Sequence, residues 1–290
     1  MTTPTRPLYW SVRRELWENK SIYVAPLAAA AVLLFGFAIS TFTLPRRMDA
    51  MLLLDPARQS ARVMMPYNVV AGLVFLTAFI VAVFYCLDAL HGERRDRSIL
   101  FWKSLPVSDL TTVISKAAVP LVVLPLIVLA IVLTAHLFIL VLSTLALLGN
   151  GPGLKTLWTY VKFFQMPVAL LYGLTVIALW HAPLYAWLLL VSAWARRSAF
   201  LWAVLPPLAV VVFEKIAFNS THFGAWLRYR LIGWFPRAFV PHERGSGTIE
   251  PLAALTPGTF LISPGLWAGL LFAALFLYAA VRVRRRREPI

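Results

Sequence analysis

Six long apolar runs constrain this chain more than any other feature. They fall at about residues 22–42, 67–87, 115–142, 166–192, 199–218 and 263–281, close to or above the roughly 20 residues a helix needs to cross about 30 Å of hydrocarbon. Lipid offers no water to unpaired backbone groups, so a spanning segment must satisfy its own hydrogen bonds. The alternating ten-residue pattern of a membrane barrel is absent. The expectation is an all-α polytopic membrane protein with six transmembrane helices, forming a single transmembrane domain over residues 1–290.

Composition supports that solvent assignment. The 290 residues are 60% hydrophobic and only 13% charged, against about 25% charged in soluble domains. The net charge of +15 would suggest nucleic acid in a soluble protein. Here the basic residues crowd at the ends of apolar runs and in the tail Arg282 to Arg287, which reads as topology and gives no nucleic-acid partner. That distribution places both termini in the cytoplasm, with Arg94, Arg196 and Arg285 inside and Arg58 and Arg237 outside. The first apolar run follows Arg13, Arg14 and Lys20 and shows no clear small-x-small cleavage site, so it is expected to remain as a span. The single cysteine, Cys86, excludes an internal disulfide and is expected to behave as a small hydrophobe in a helix.

Two segments outside the spans carry structure of their own. Tyr9, Val12, Leu16 and Trp17 share one helical stripe, which predicts an N-terminal helix lying in the inner interface. Between spans five and six, Trp226 to Phe239 and Pro251 to Ile262 are moderately apolar and flank His242 to Gly247. Their Trp, Phe and Pro content predicts a re-entrant or interfacial helical segment on the outer side.

The loop after span two is the strongest functional signal. Residues 88–109 begin with charges of both signs, Glu93, Arg94, Arg95, Asp96 and Arg97, and continue through Ser98 to Phe101, Trp102 and Leu105 before Pro106. An amphipathic helix with its charges exposed and its aromatics against the bundle fits both halves, and Ser108 is placed to cap the next helix. The solvated-loop alternative accounts for the charges alone.

Glu93-Arg94, Ser98-Ile99-Leu100, Leu105-Pro106-Val107-Ser108 and Lys116, with the six-span layout, resemble the ABC-2 type transporter permease family over nearly the whole chain. Many members of that family carry Gly-Thr where this chain has Arg97-Ser98. The resemblance implies the membrane subunit of an ATP-driven exporter in the bacterial plasma (inner) membrane. It implies a coupling loop formed by Glu93, Arg94, Arg95, Asp96, Arg97, Ser98, Phe101 and Trp102 that docks on a soluble ABC ATPase subunit. Two ATPase copies and a second permease protomer complete the assembly, with ATP and Mg on the ATPase. This chain has no Gly-x-x-x-x-Gly-Lys-Ser/Thr segment to cradle phosphate, so it is not expected to hydrolyse ATP or to bind a cofactor.

Polar groups near the apolar runs are pathway candidates. Glu214 and Lys215 end span five, and no residue three or four positions from Glu214 can neutralise it, so any partner must come from another segment. Snorkelling at the interface is the competing reading. His136 and His181 are lone histidines without a metal-ligand or catalytic constellation, and His181 precedes Pro183, where it can serve backbone freed by a helix break. Apolar walls favour an amphiphilic or hydrophobic cargo such as a lipid, peptide or drug. The alternative class is a non-transporting membrane scaffold or sensor subunit holding a soluble partner through the same loop. Secondary transport ranks below both, because the spans show no visible inverted repeat and few buried acidic groups for ion coupling.

Overall fold

A computed structural model describes residues 7–96, 98, 107–239 and 252–286. It is an all-α polytopic membrane protein with six long apolar helices, one of them near the N-terminus. The six are α2 (Ser21–Thr41), α4 (Pro56–Asp88), the continuous run of α6 (Asp109–Ala118), a π turn (Val119–Val123) and α7 (Leu124–Ala146), then α9 (Met166–Trp194), α10 (Ala199–Phe218) and α14 (Pro264–Arg286). Shorter helices complete the described chain: α1 (Pro7–Glu18), α3 (Leu44–Leu52), α5 (His91–Arg95), α8 (Gly151–Tyr160), α11 (His222–Ile232), α12 (Phe235–Ala238) and α13 (Pro257–Ile262).

Several helix boundaries have local causes. Helix α4 begins at Pro56, well before its apolar run, because Asp55 accepts the Arg58 amide at 3.0 Å and Pro56 at the first helical position has no N–H to leave orphaned. Ser108 caps α6, its hydroxyl accepting the Thr111 amide at 3.1 Å. Beyond Lys116 the helix meets Pro120, which cannot donate to the ladder, and it widens there into the π turn. In α10, Pro207 leaves the Ala203 carbonyl without its usual donor; the Trp187 indole of α9 supplies one at 3.3 Å.

Helix α9 is the axis of the bundle. It is buried over most of its most apolar window, whereas α10 lies on the flank with little of its surface covered. Its most extensive packing is against α14, where Ala182 and Ala186 meet Ala273. Small residues let these backbones approach closely where lipid supplies no hydrophobic drive between helices. Val74, Cys86, Val132 and Ile139 are fully buried in a cluster that joins α2, α4, α7 and α9, so Cys86 packs as a small hydrophobe.

Both α1 and the last turn of α14 lie at one end of the bundle, which we call the base. The stripe expected on α1 is only half realised. Val12 and Leu16 are half-buried, but Tyr9 and Trp17 face outward and the most buried residue is Glu15. Arg13 lies 4.6 Å from the centroid of the Trp17 ring on that outer face.

The segment between α10 and α14 turns back into the bundle. Gly224 of α11 faces Val211 of α10, and the end of α11 reaches Trp180, midway along α9. The chain then climbs through α12 to Tyr172 and Gly173, nearer the far end. Of the two alternatives left by the sequence, the segment is therefore re-entrant. His242 to Gly247 lies outside the described residues.

Candidate functional site

Two polar constructions stand out in this apolar bundle. At the base, a buried charge cluster joins α1, α4, α5, α6 and α14. The Lys116 ammonium lies 2.9 Å from Glu15 Oε1 and 3.1 Å from Glu93 Oε1. Arg14 reaches Glu93 at 3.0 Å and Glu15 at 3.2 Å, and the Tyr85 hydroxyl donates to Glu15 Oε2 at 2.8 Å. Arg284 binds Glu93 Oε2 and, at 3.0 Å, Asp109. Arg14, Lys116 and Arg284 thus stand against Glu15, Glu93 and Asp109, and the formal charges cancel. Glu15 and Lys116 are each only 2% exposed, a depth at which a full charge is tolerated only when it is paired.

Helix α5 is held from a second side by the end of α9. The Ser192 hydroxyl accepts the backbone amides of Leu90 and His91 at 2.9 and 2.8 Å. Arg94 donates to the carbonyls of Ala193 and Ala195 at 2.9 and 3.0 Å. These carbonyls lie at a helix C-terminus, where ladder partners run out and the dipole favours a cation.

This arrangement divides the residues expected to form one exposed coupling surface. Glu93 and Arg94 are buried, contrary to the expectation of an exposed charged face, because each has a fixed partner set inside the bundle. Arg95 and Asp96 are exposed and bond each other at 3.1 Å, with Asp88 3.6 Å from Arg95. Ser98 is half-buried, its hydroxyl 3.4 Å from the Glu93 carbonyl. Arg97, Phe101 and Trp102 lie outside the described residues.

The second construction is a ladder of side chains on α9 that receives the re-entrant segment. Trp180 Nε1 donates to the Arg230 carbonyl at 2.9 Å. His181 Nε2 lies 3.1 Å from the Leu231 carbonyl, and the Tyr172 hydroxyl donates to the Ala238 carbonyl at 3.1 Å. The last carbonyls of α11 have no partner within their helix, and α9 brings donors to them. His181 does not serve the carbonyl that Pro183 leaves unpaired, which belongs to Leu179. Its Nδ1 instead faces the Ile177 carbonyl at 2.9 Å. A neutral ring can donate to only one of its two carbonyls.

The other pathway candidates separate. Glu214 accepts from the Ser220 hydroxyl at 2.7 Å and from the His222 and Phe223 amides at 2.6 and 2.8 Å. Its partners do come from the following segment, and they make it the cap of α11, where a carboxylate complements the helix dipole. Lys215 is exposed and donates to Asn219 at 2.9 Å; Asn219 itself ends α10 in the left-handed region, at φ 47°. His136 Nε2 donates to the Tyr67 carbonyl at 3.1 Å. Its Nδ1 and the Tyr67 hydroxyl have no hydrogen-bond partner among the described residues, and both residues line a cavity of about 370 Å³ between α4, α9 and the re-entrant segment.

Glu15, Trp180 and Arg230 were not singled out in the sequence. Glu15 carried one signal, a carboxylate interrupting the half-buried side of an amphipathic helix; Trp180 carried none beyond its type. No family model, curated protein or solved structure matches the chain.

Proposed function

We propose that this chain is the membrane-spanning subunit of an ABC exporter, coupled through the loop at residues 88–109 to a separate ATPase. The observation that carries the reading is the double anchorage of α5. Its Glu93 is tied to α1, α6 and α14, and its Arg94 to the end of α9, while Arg95 and Asp96 stay exposed beside it. A push delivered to the exposed part would pass to several helices together, as transmission from a soluble motor requires. ATP and Mg would sit on the partner, present in two copies, and a second permease protomer would complete an outward path for an amphiphilic cargo. The base would face the cytoplasm of a bacterial inner membrane.

Arg95 and Asp96 are the residues with which to test docking, since reversing exposed charges changes orientation and encounter more than stability. Arg95→Glu with Asp96→Lys is expected to weaken co-purification of the ATPase subunit, or to uncouple its hydrolysis from transport. The thermal stability of the isolated chain should stay within about 0.5 kcal/mol of wild type. Unchanged association and transport would remove the coupling role, while association without any transport would favour the scaffold reading.

Orientation has its own check. Single cysteines at Arg95 and Arg58, both largely exposed, are expected to react with an impermeant maleimide from opposite sides of sealed vesicles. The native Cys86 is fully buried and contributes little background. Labelling of both from one side would overturn the assignment.

A further inference from the structure

Arg230 is an anomaly in a bundle that otherwise meets its buried charges with opposite charges or, at Arg94, with helix-end carbonyls. It is 9% exposed, its Nη1 has no hydrogen-bond partner, and no carboxylate among the described residues lies within ion-pair range. Its guanidinium carbon sits 4.9 Å from the centroid of the Trp180 ring. Placement in the last turn of α11 gives some help from the helix dipole, but a dipole end carries only a partial charge. The cluster at the base sets cations against carboxylates; here, among the described residues, a full cation faces none.

Space has been left for this side chain. A Cβ on Gly269 of α14 would fall 1.2 Å from Arg230 Nη2, so the guanidinium occupies the room that any other residue there would fill. Arg230 also lines a cavity of about 260 Å³ whose other walls include Pro183, Trp187, Pro207 and Phe276. Trp226 and Phe272, on the same lining, are about half exposed, so the cavity opens toward the surrounding lipid. Its volume lies just below the range of about 300–1,000 Å³ for drug-sized ligands, enough for a head group and the first part of one chain.

We infer that this cavity binds a single-chain portion of an anionic amphiphile, its carboxylate or phosphate paired with Arg230 and its hydrocarbon held by the apolar walls. A guanidinium presents a planar fork of donors that matches either oxyanion, and Nη1, enclosed by protein and without a hydrogen-bond partner among the described residues, becomes a donor to it once the side chain turns into the cavity. An ionisable group buried among membrane-spanning helices is costly and marks a functional site. The inference stands independently of the ATPase partner, since it rests on α9, α11 and α14 alone. The same head chemistry can arrive on a membrane phospholipid or on a free acid.

Photolabelling of the full chain in phosphatidylcholine nanodiscs separates these. Dodecanoate and dodecanol, each carrying a diazirine at the chain end, serve as probes, and the yield is read on peptides covering residues 222–230 and 264–276. The acid is expected to half-saturate these peptides at a concentration at least tenfold below the alcohol. Arg230→Gln should erase that difference without changing the yield with alcohol, and Gly269→Ala, which displaces the guanidinium, should weaken the acid alone. Size-exclusion profiles check folding; should Arg230→Gln misfold, the acid-to-alcohol comparison in wild type and Gly269→Ala decides. Competition by added phosphatidylglycerol would identify a membrane lipid as occupant, and its absence a free acid. Equal labelling by acid and alcohol in the wild type, or an acid preference that survives in folded Arg230→Gln, would overturn the inference.

Discussion

Glu93→Lys is expected to loosen the whole base of the bundle, at a cost of at least 3–5 kcal/mol, the range for breaking a buried ion pair. Glu93 receives Arg14, Lys116 and Arg284 together. A lysine in its place sets a fourth cation among those three, with Glu15, Asp109 and the more exposed Glu18 left to oppose them. Glu93→Gln keeps the shape and some hydrogen bonding and should cost less. Denaturant unfolding of the purified chain in detergent measures both, and proteolysis within α1 reports whether the N-terminal helix has come away. The double variant Glu93→Lys with Lys116→Glu restores the sign balance and is expected to recover part of the loss. A Glu93→Lys chain as stable as wild type would mean that the cluster does not hold these helices together. The contrast with Arg95 and Asp96 matters for function: a defect at Glu93 confounds docking with folding, whereas the exposed pair isolates docking.

The second large effect is expected at Trp180. Its side chain is fully buried, packs against Tyr229 at 5.3 Å and Phe260 at 6.3 Å between ring centroids, and donates to the Arg230 carbonyl. Trp180→Ala removes all three contacts, and large-to-small changes of this kind cost about 3–5 kcal/mol. Trp180→Phe keeps most of the apolar filling but strands the carbonyl, for about 1–3 kcal/mol. Global unfolding should rank the variants in that order. The re-entrant segment should also open locally. A cysteine at Phe235, which is about half exposed, is expected to react with maleimide about tenfold faster or more in Trp180→Ala, since each 1.4 kcal/mol is a factor of about ten. Identical rates in both backgrounds would show that Trp180 does not hold the segment in place.

The sequence determined how many times the chain crosses and where. Spans one and five, expected at 22–42 and 199–218, are Ser21–Thr41 and Ala199–Phe218, because hydrophobic length is a local property that each segment satisfies alone. Ser108 was legible as a cap for the same reason: its partner is three residues away. Also visible was that Glu214 needed a partner from another segment.

Only the tertiary structure decided what the charges do. Glu93 and Arg94 read as solvated because their neighbours in sequence are charged, yet their partners are Arg14, Lys116, Arg284 and the carbonyls of Ala193 and Ala195, most of them far along the chain. Tyr9 and Trp17 were expected to share a stripe with Val12 and Leu16, but the side of α1 that turns inward is the one whose carboxylate meets Lys116 and Tyr85. Whether the segment after α10 lay on the membrane or entered it depended on donors held by another helix: Tyr172 and Trp180 supply hydrogen bonds that water would otherwise give, and the Nε2–H tautomer of His181 adds a third. Hydrophobicity is additive along a chain and can be read from it, whereas compensation of a buried charge or carbonyl depends on which distant residue arrives within about 3 Å.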